Sequence, residues 1–118
     1  MLVILFRSRL TPVAGDDYRA MDEEIFALAK EADGFEGVKS FRAEDGERLT
    51  VVWWRDAASL ERWRSHPRHR VAQATGRARW YEYYDMEVAE VLRESRFARP
   101  RSEEGAADRA AGGIRPRD

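Results

Sequence analysis

The sequence predicts a ferredoxin-like α+β fold with the element order βαββαβ and one four-stranded antiparallel sheet. Two observations predict it: four strand-like apolar segments alternate with two helical regions, and an Asp-Gly turn joins the two middle strands. A chain of 118 residues that is 43% hydrophobic has the size of one domain. We place this domain at residues 1–97. We expect a disordered tail at residues 98–118, where Ile114 is the only large apolar side chain.

The first half of the chain predicts a strand, a helix and a hairpin. The apolar run Leu2 to Phe6 is typical of a strand, and a Thr-Pro turn follows it. After Asp16 or Asp17, which offer an N-cap, apolar residues recur every three or four positions, and Gly34 provides a helix stop. Segments 37–43 and 48–54 flank the sequence Glu-Asp-Gly-Glu, which favours a hairpin turn.

The second half predicts an interrupted helix and a last strand. Asp56 offers an N-cap for a helical segment that carries Leu60 and Trp63. The sequence Ser65-His66-Pro67 interrupts this segment, and Pro67 suits the first position of a further helix that ends at Gly76. The stretch from Trp80 to Leu92 has the composition of an extended strand.

The predicted strands are apolar on both faces. Leu2 to Phe6, Val51 to Trp54 and Trp80 to Tyr84 carry apolar or aromatic residues at both even and odd positions. Two helices can cover only one face of the sheet. We therefore expect a second copy of the chain to cover the other face, which gives a homodimer with a barrel-like interior, a dimeric α+β barrel.

Composition excludes several classes of function. The chain has no cysteine, so disulfides, thiolate metal sites and a cysteine nucleophile are excluded. A net charge of -1 argues against nucleic acid as a partner. No apolar run approaches the ~20 residues of a membrane span, so we expect no membrane partner and a cytoplasmic protein. The phosphate-binding, zinc-protease and hydrolase signatures GxGxxG, HExxH and GxSxG are also absent from the sequence.

A basic segment follows the predicted helix break. Both histidines and five arginines fall between positions 63 and 79, where there is no Asp or Glu. Such a segment is typical of a solvated helix face or of an anion site. His66 and His69 are three positions apart and can share a helix face, but no nearby carboxylate supplies a third ligand. We therefore predict no metal site.

Aromatic residues are concentrated late in the domain. They either fill the core or line a flat apolar pocket for a planar polycyclic or porphyrin ligand, with arginines at its mouth. Trp63 is the strongest single candidate because it lies beside the His66-Pro67 break. The set consists of Trp53, Trp54, Trp63, Trp80, Tyr81, Tyr83 and Tyr84.

The segment around this break also carries a family resemblance. The run Trp63-Arg-Ser-His-Pro-Arg-His-Arg-Val-Ala-Gln73, followed by Gly76-Arg77 and Trp80-Tyr81 in a βαββαβ layout, resembles the antibiotic biosynthesis monooxygenase (ABM) family over about residues 1–95. The resemblance implies a homodimer with one cavity per subunit. Characterised members oxidise polycyclic phenols to quinones with O₂ and no metal or flavin, or degrade haem.

The resemblance also implies roles for single residues. The haem-degrading branch uses an Asn late in strand one, a Trp on the second helical segment and a His ten residues later. This chain has Ser8, Trp63 and Gln73 at those positions, and glutamine is a poor axial ligand for iron. The quinone-forming branch shares the Trp; its helper Tyr corresponds to His69 and its Asn to Ser59.

The resemblance therefore implies a cofactor-independent monooxygenase that acts with O₂ on a small planar aromatic substrate. We expect His69, with an ordinary pKa near 6.5, to act as the base, Trp63 to stack on the ring, and an arginine to stabilise the phenolate. The predicted catalytic residues are Trp63, His69 and Ser8, and the predicted substrate-binding residues are Arg9, His66, Gln73, Arg77, Trp80 and Tyr84. Two alternatives stay open: a non-enzymatic ligand-binding or stress protein, and a haem-binding or haem-degrading relative.

Overall fold

The computed structural model describes residues 1–100 and confirms the ferredoxin-like fold. Its elements are β1 (Leu2–Leu10), α1 (Asp16–Glu31), β2 (Phe35–Arg42), β3 (Arg48–Trp54), α2 (Ala57–Arg64), α3 (Pro67–Thr75), a π-helical turn (Gly76–Trp80) and β4 (Tyr81–Glu90). The sheet has the order β2-β3-β1-β4, and all neighbouring strands are antiparallel. Of the predicted tail, residues 101–118 lie outside the described residues.

Local sequence chemistry accounts for most of the element ends. Gly46 has a φ of +92° in the turn between β2 and β3, as the Asp-Gly pair predicts. The Oδ1 atom of Asp56 accepts a hydrogen bond from the backbone N–H of Ser59 (2.8 Å), which caps α2. Pro67 stands in the first turn of α3, and Nδ1 of His66 accepts from the Arg68 N–H (3.1 Å).

Two predicted boundaries are wrong. Gly15, not Asp16 or Asp17, is the N-cap of α1, and both aspartates lie in the first helical turn, where the helix dipole favours negative charge. Trp80 ends the π-helical turn rather than starting the last strand, which covers Tyr81–Glu90 only. The backbone N–H of Thr11 donates to the carbonyl oxygen of Trp80 (2.7 Å) and holds this turn against the end of β1.

The sheet has an inner face, covered by the helices, and an outer face. In β1 and β3 the even-numbered residues point inward, as do Tyr84, Met86 and Val88 of β4, and Ile4 lies between Val52 and Val88 in the register. The odd-numbered positions of β1 and β3 form the outer face, and no helix of residues 1–100 packs there. The core between sheet and helices is formed by Ile4, Ala29, Trp54, Leu60 and Trp63.

Candidate functional site

A cavity of about 210 Å³ lies between the inner face of the sheet and the helices. Most of its wall is apolar or aromatic, with contributions from β1, β3, β4 and all three α-helices. Enclosed apolar cavities with a few converging polar groups are the usual form of a small-molecule site. The cavity is therefore the candidate site of this chain.

Trp63 belongs both to the core and to the cavity wall. Its side chain is buried, and its indole packs nearly parallel to that of Trp54, with 6.2 Å between ring centroids. The rings of His69 and His66 lie at 5.0 and 5.5 Å from Trp63. The two interpretations of the aromatic residues, core or pocket, thus both hold for this tryptophan.

His69 lines the cavity and has a lowered pKa. Its side chain is largely buried against Trp63, and burial lowers the pKa of His69 below its usual value. The Nδ1 atom is buried, and a backbone hydrogen bond at Arg64 partly opposes this lowering of the pKa. A lowered pKa favours the uncharged imidazole, which is the form that can accept a proton.

A second group of polar side chains meets at the other end of β3. Nη1 of Arg48 donates a hydrogen bond to the hydroxyl oxygen of Tyr18 (3.1 Å), and the guanidinium lies 5.9 Å from the centre of that ring. Burial raises the pKa values of Tyr18, Tyr81 and Asp22, all of which line the cavity.

Sequence reasoning missed this second group. Tyr18 and Asp22 have the spacing of ordinary helix residues, and Arg48 is the first residue of a strand. The alternation of residues along β3 could have identified Arg48. The even-numbered residues Thr50, Val52 and Trp54 lie on the inner face of the sheet, and Arg48 is on the same face. A charged residue on the buried face of a strand is uncommon and indicates a function.

The structure brings six of the nine predicted site residues together. The six that line the cavity are Ser8, Trp63, His69, Gln73, Trp80 and Tyr84. Ser8 is only 5% exposed and lies opposite Arg48 in the β1–β3 register. Their roles in catalysis and binding stay predictions.

The other three predicted site residues lie outside the cavity wall. Arg9 is at an odd position of β1, and its Nη1 donates to the carbonyl oxygen of Asp45 (2.9 Å). His66 packs against Trp63 with 5.5 Å between ring centroids and caps α3. Nη1 of Arg77 donates a hydrogen bond to the hydroxyl of Tyr84, which does line the cavity (3.3 Å).

The wall does not fit a haem well. Gln73 lines the cavity where a haem-degrading relative would place an iron ligand, and the His69 ring packs against Trp63. Within residues 1–100 no cluster of three or more His, Asp or Glu side chains is arranged to hold a metal ion. In the same range, no helix combines the length and apolar character needed to cross a membrane.

Comparison with known proteins identifies the family. The family model for antibiotic biosynthesis monooxygenase matches residues 1–75. The uncharacterized protein YqjZ of Bacillus subtilis (strain 168) is 39% identical over 80 residues, which cover 68% of this chain and 70% of that protein. The jasmonate monooxygenase ABM of Pyricularia oryzae (strain 70-15) is 30% identical over 95 residues, or 77% of this chain but only 43% of that longer protein.

A solved structure shows the same fold. SnoaB, a cofactor-independent oxygenase from Streptomyces nogalater, superimposes with a TM-score of 0.65 at 13% identity, over 79% of this chain and 94% of that one. At this identity the likeness concerns the fold alone. With the family match over more than half of its length, the chain belongs to the antibiotic biosynthesis monooxygenase family.

Proposed function

We propose that this protein is a cofactor-independent monooxygenase that oxidises a planar aromatic phenol or anthrone with O₂ and works as a homodimer. The observation that carries the proposal is the pairing of Trp63 with His69 in the cavity wall. The indole offers a flat apolar surface to a ring, and His69, which lines the same cavity, supplies the imidazole as the base.

The chemistry follows from the properties of such a substrate. His69 takes the proton of the anthrone or phenol, and the resulting anion is electron-rich enough to give one electron to O₂. Recombination of the substrate radical with superoxide forms a carbon–oxygen bond. The O–O bond then breaks, so that one oxygen atom stays in the quinone and the other leaves as water with two hydrogens of the substrate. A cavity that excludes water protects the anion and the radical pair from side reactions.

The relatives support the oxygenase assignment by class. SnoaB is described as a cofactor-independent oxygenase, and the Pyricularia oryzae protein as a jasmonate monooxygenase. Both descriptions concern the insertion of oxygen into an organic substrate. Neither description identifies the substrate of this chain. We infer an aromatic substrate from the aromatic wall of the cavity.

The test is oxygen uptake with dithranol, a 1,8-dihydroxyanthrone, followed with an oxygen electrode and by quinone absorbance. We expect catalysed uptake of one O₂ per quinone formed. Replacing His69 with alanine should lower kcat by roughly 100-fold or more, the usual contribution of a general base. Val71→Ala, on the exposed side of the same helix, should keep full activity.

Three results would contradict the proposal. Unchanged turnover in the His69→Ala variant would remove His69 from the mechanism. Binding of dithranol without oxygen uptake would instead indicate a non-enzymatic ligand-binding protein. A Soret shift on haem addition, with bleaching that depends on ascorbate, would indicate a haem-degrading relative.

A further inference from the structure

The cavity has a charged end and an aromatic end. Arg48 and Trp54 are the first and last residues of β3, and both line the cavity. They are six residues apart, which corresponds to roughly 20 Å along a strand. Because Trp54 packs on Trp63, the aromatic end also holds the proposed reaction site.

The guanidinium at the charged end is incompletely paired. It donates a hydrogen bond to the Tyr18 hydroxyl, and no carboxylate of residues 1–100 lies within ion-pair distance, although its charge acts on the nearby Asp22 carboxyl. Arg64, which lines the same cavity, is paired with Glu61 at 3.4 Å. A guanidinium has five N–H donors in a planar fork that matches a carboxylate, and the hydrogen bond to Tyr18 uses one of them.

The neighbours of Arg48 are suited to an anionic oxygen. The Tyr18 hydroxyl accepts from Arg48, which leaves its own proton for donation. Burial raises the pKa of Tyr18 and also that of Tyr81, so both hydroxyls stay protonated at neutral pH. Burial also raises the pKa of Asp22, against the opposing effect of the Arg48 charge, so this carboxyl takes up a proton more readily than an exposed one when an anion displaces it from Arg48.

We propose that Arg48, together with Tyr18, binds a carboxylate of the substrate, and that the substrate is an elongated aromatic acid. Its carboxylate lies at the start of β3, and its reacting ring lies at the Trp63 end. The inference rests on the proposed function for the location of the reacting ring only. The carboxylate site itself is defined by the free donors of Arg48 and by the aromatic cavity that extends from it.

Binding of a matched pair of compounds tests the inference. The probes are 6-hydroxy-2-naphthoic acid and its methyl ester, which lacks the negative charge and carries one additional methyl group, and calorimetry without oxygen measures each Kd. The wild-type protein should bind the acid roughly 10-fold or more tightly than the ester, as expected for hydrogen bonds to a charged group.

Three variants test which residue causes the preference for the acid over the ester. Arg48→Met keeps an unbranched apolar stem without the guanidinium and should bind acid and ester equally, whereas Arg48→Lys should keep part of the preference. Arg64→Met removes a charge from the same cavity and should leave the preference unchanged, because Arg64 is already paired. If Arg48→Met does not fold, Tyr18→Phe tests the site instead, because it should weaken binding of the acid more than binding of the ester.

The results also separate this inference from the proposed function. Equal binding of acid and ester by the wild type, no binding of the acid at millimolar concentration, or a preference that survives in Arg48→Met would overturn the carboxylate site. Oxygen uptake on dithranol would be untouched by any of these results. A clear preference for the acid in a protein without oxygen uptake would support the site and contradict the oxygenase.

Discussion

Gly34 shows how a single residue without a side chain fixes the approach of α2 to the sheet. It follows α1 with a φ of +87°, and a Cβ atom there would overlap Oγ and Cβ of Ser59. Ser59 is itself 1% exposed, and its hydroxyl accepts hydrogen bonds from Arg55 (3.0 Å) and Arg62 (3.2 Å). The position thus requires glycine both for its backbone angle and for space.

Replacing Gly34 with alanine should lower the free energy of unfolding by about 2–4 kcal/mol. The left-handed backbone angle accounts for about 1–2 kcal/mol and the overlap with Ser59 for the rest. Urea unfolding at pH 7 measures the change. Gly15→Ala is the control, because a Cβ at Gly15 meets no atom within 4 Å, and it should cost less than about 1 kcal/mol. Equal losses in the two variants would contradict this explanation.

At the scale of elements, the first turn of α1 holds the π-helical turn in place. Oδ2 of Asp17 accepts hydrogen bonds from Nε1 of Trp80 (3.1 Å) and from Nε of Arg79 (2.9 Å). The hydroxyl of Thr11 donates to the carbonyl oxygen of Arg79 (2.8 Å). These contacts orient Trp80 in the wall of the cavity, so α1 contributes to the site through another element.

The fold should therefore become less stable as the pH is lowered through the acid range. The hydrogen bond from Trp80, followed by that from Arg79, lowers the pKa of Asp17 to about 2. A carboxyl whose pKa is lowered in the folded state stabilises the fold above its unfolded pKa, near 3.8, and loses that contribution as the pH falls to about 2. Asp56, with a pKa of about 2 and a hydrogen bond from the Ser59 N–H, acts in the same direction.

Asp17→Asn should remove part of this pH dependence. Urea midpoints at pH 6 and pH 3 measure it, and the difference between them should be smaller in the variant than in the wild type. Asp16→Asn, in the same turn, contacts neither Trp80 nor Arg79 and serves as the control. An unchanged difference in Asp17→Asn would exclude this carboxyl as the source.

Elements set by neighbouring residues could be predicted from the sequence, and those set by distant contacts could not. The hairpin at Gly46 and the cap at Asp56 follow from side chains within three positions. The π-helical turn depends instead on Asp17 and Thr11, more than 60 positions away. The same distinction applies to the site. Trp63 and His69 share one helical region and were found, whereas Arg48 of β3 and Tyr18 of α1 meet only through the packing of the helix on the sheet and were missed.

At the scale of the whole molecule, the outer face of the sheet is apolar and has no helix against it within residues 1–100. In the register Leu5 lies between Val51 and Glu87, and Arg7 pairs with Asp85 at the edge of this face (3.5 Å). The apolar members are Val3, Leu5, Leu49, Val51 and Trp53. An apolar sheet face bordered by charged residues is typical of an interface, which supports the proposed homodimer.

Sedimentation equilibrium should give a mass of about twice 13.7 kDa at micromolar concentration. Leu5→Lys places a charge at the centre of the outer face and should shift the protein toward monomer, because burying an unpaired charge in an interface is costly. The new lysine lies beside Glu87 in the register, so the single subunit should stay folded. Leu92→Lys, at a position 91% exposed beyond the sheet, should remain dimeric. A wild-type monomer, or a Leu5→Lys dimer of unchanged affinity, would show that the outer face is not the interface.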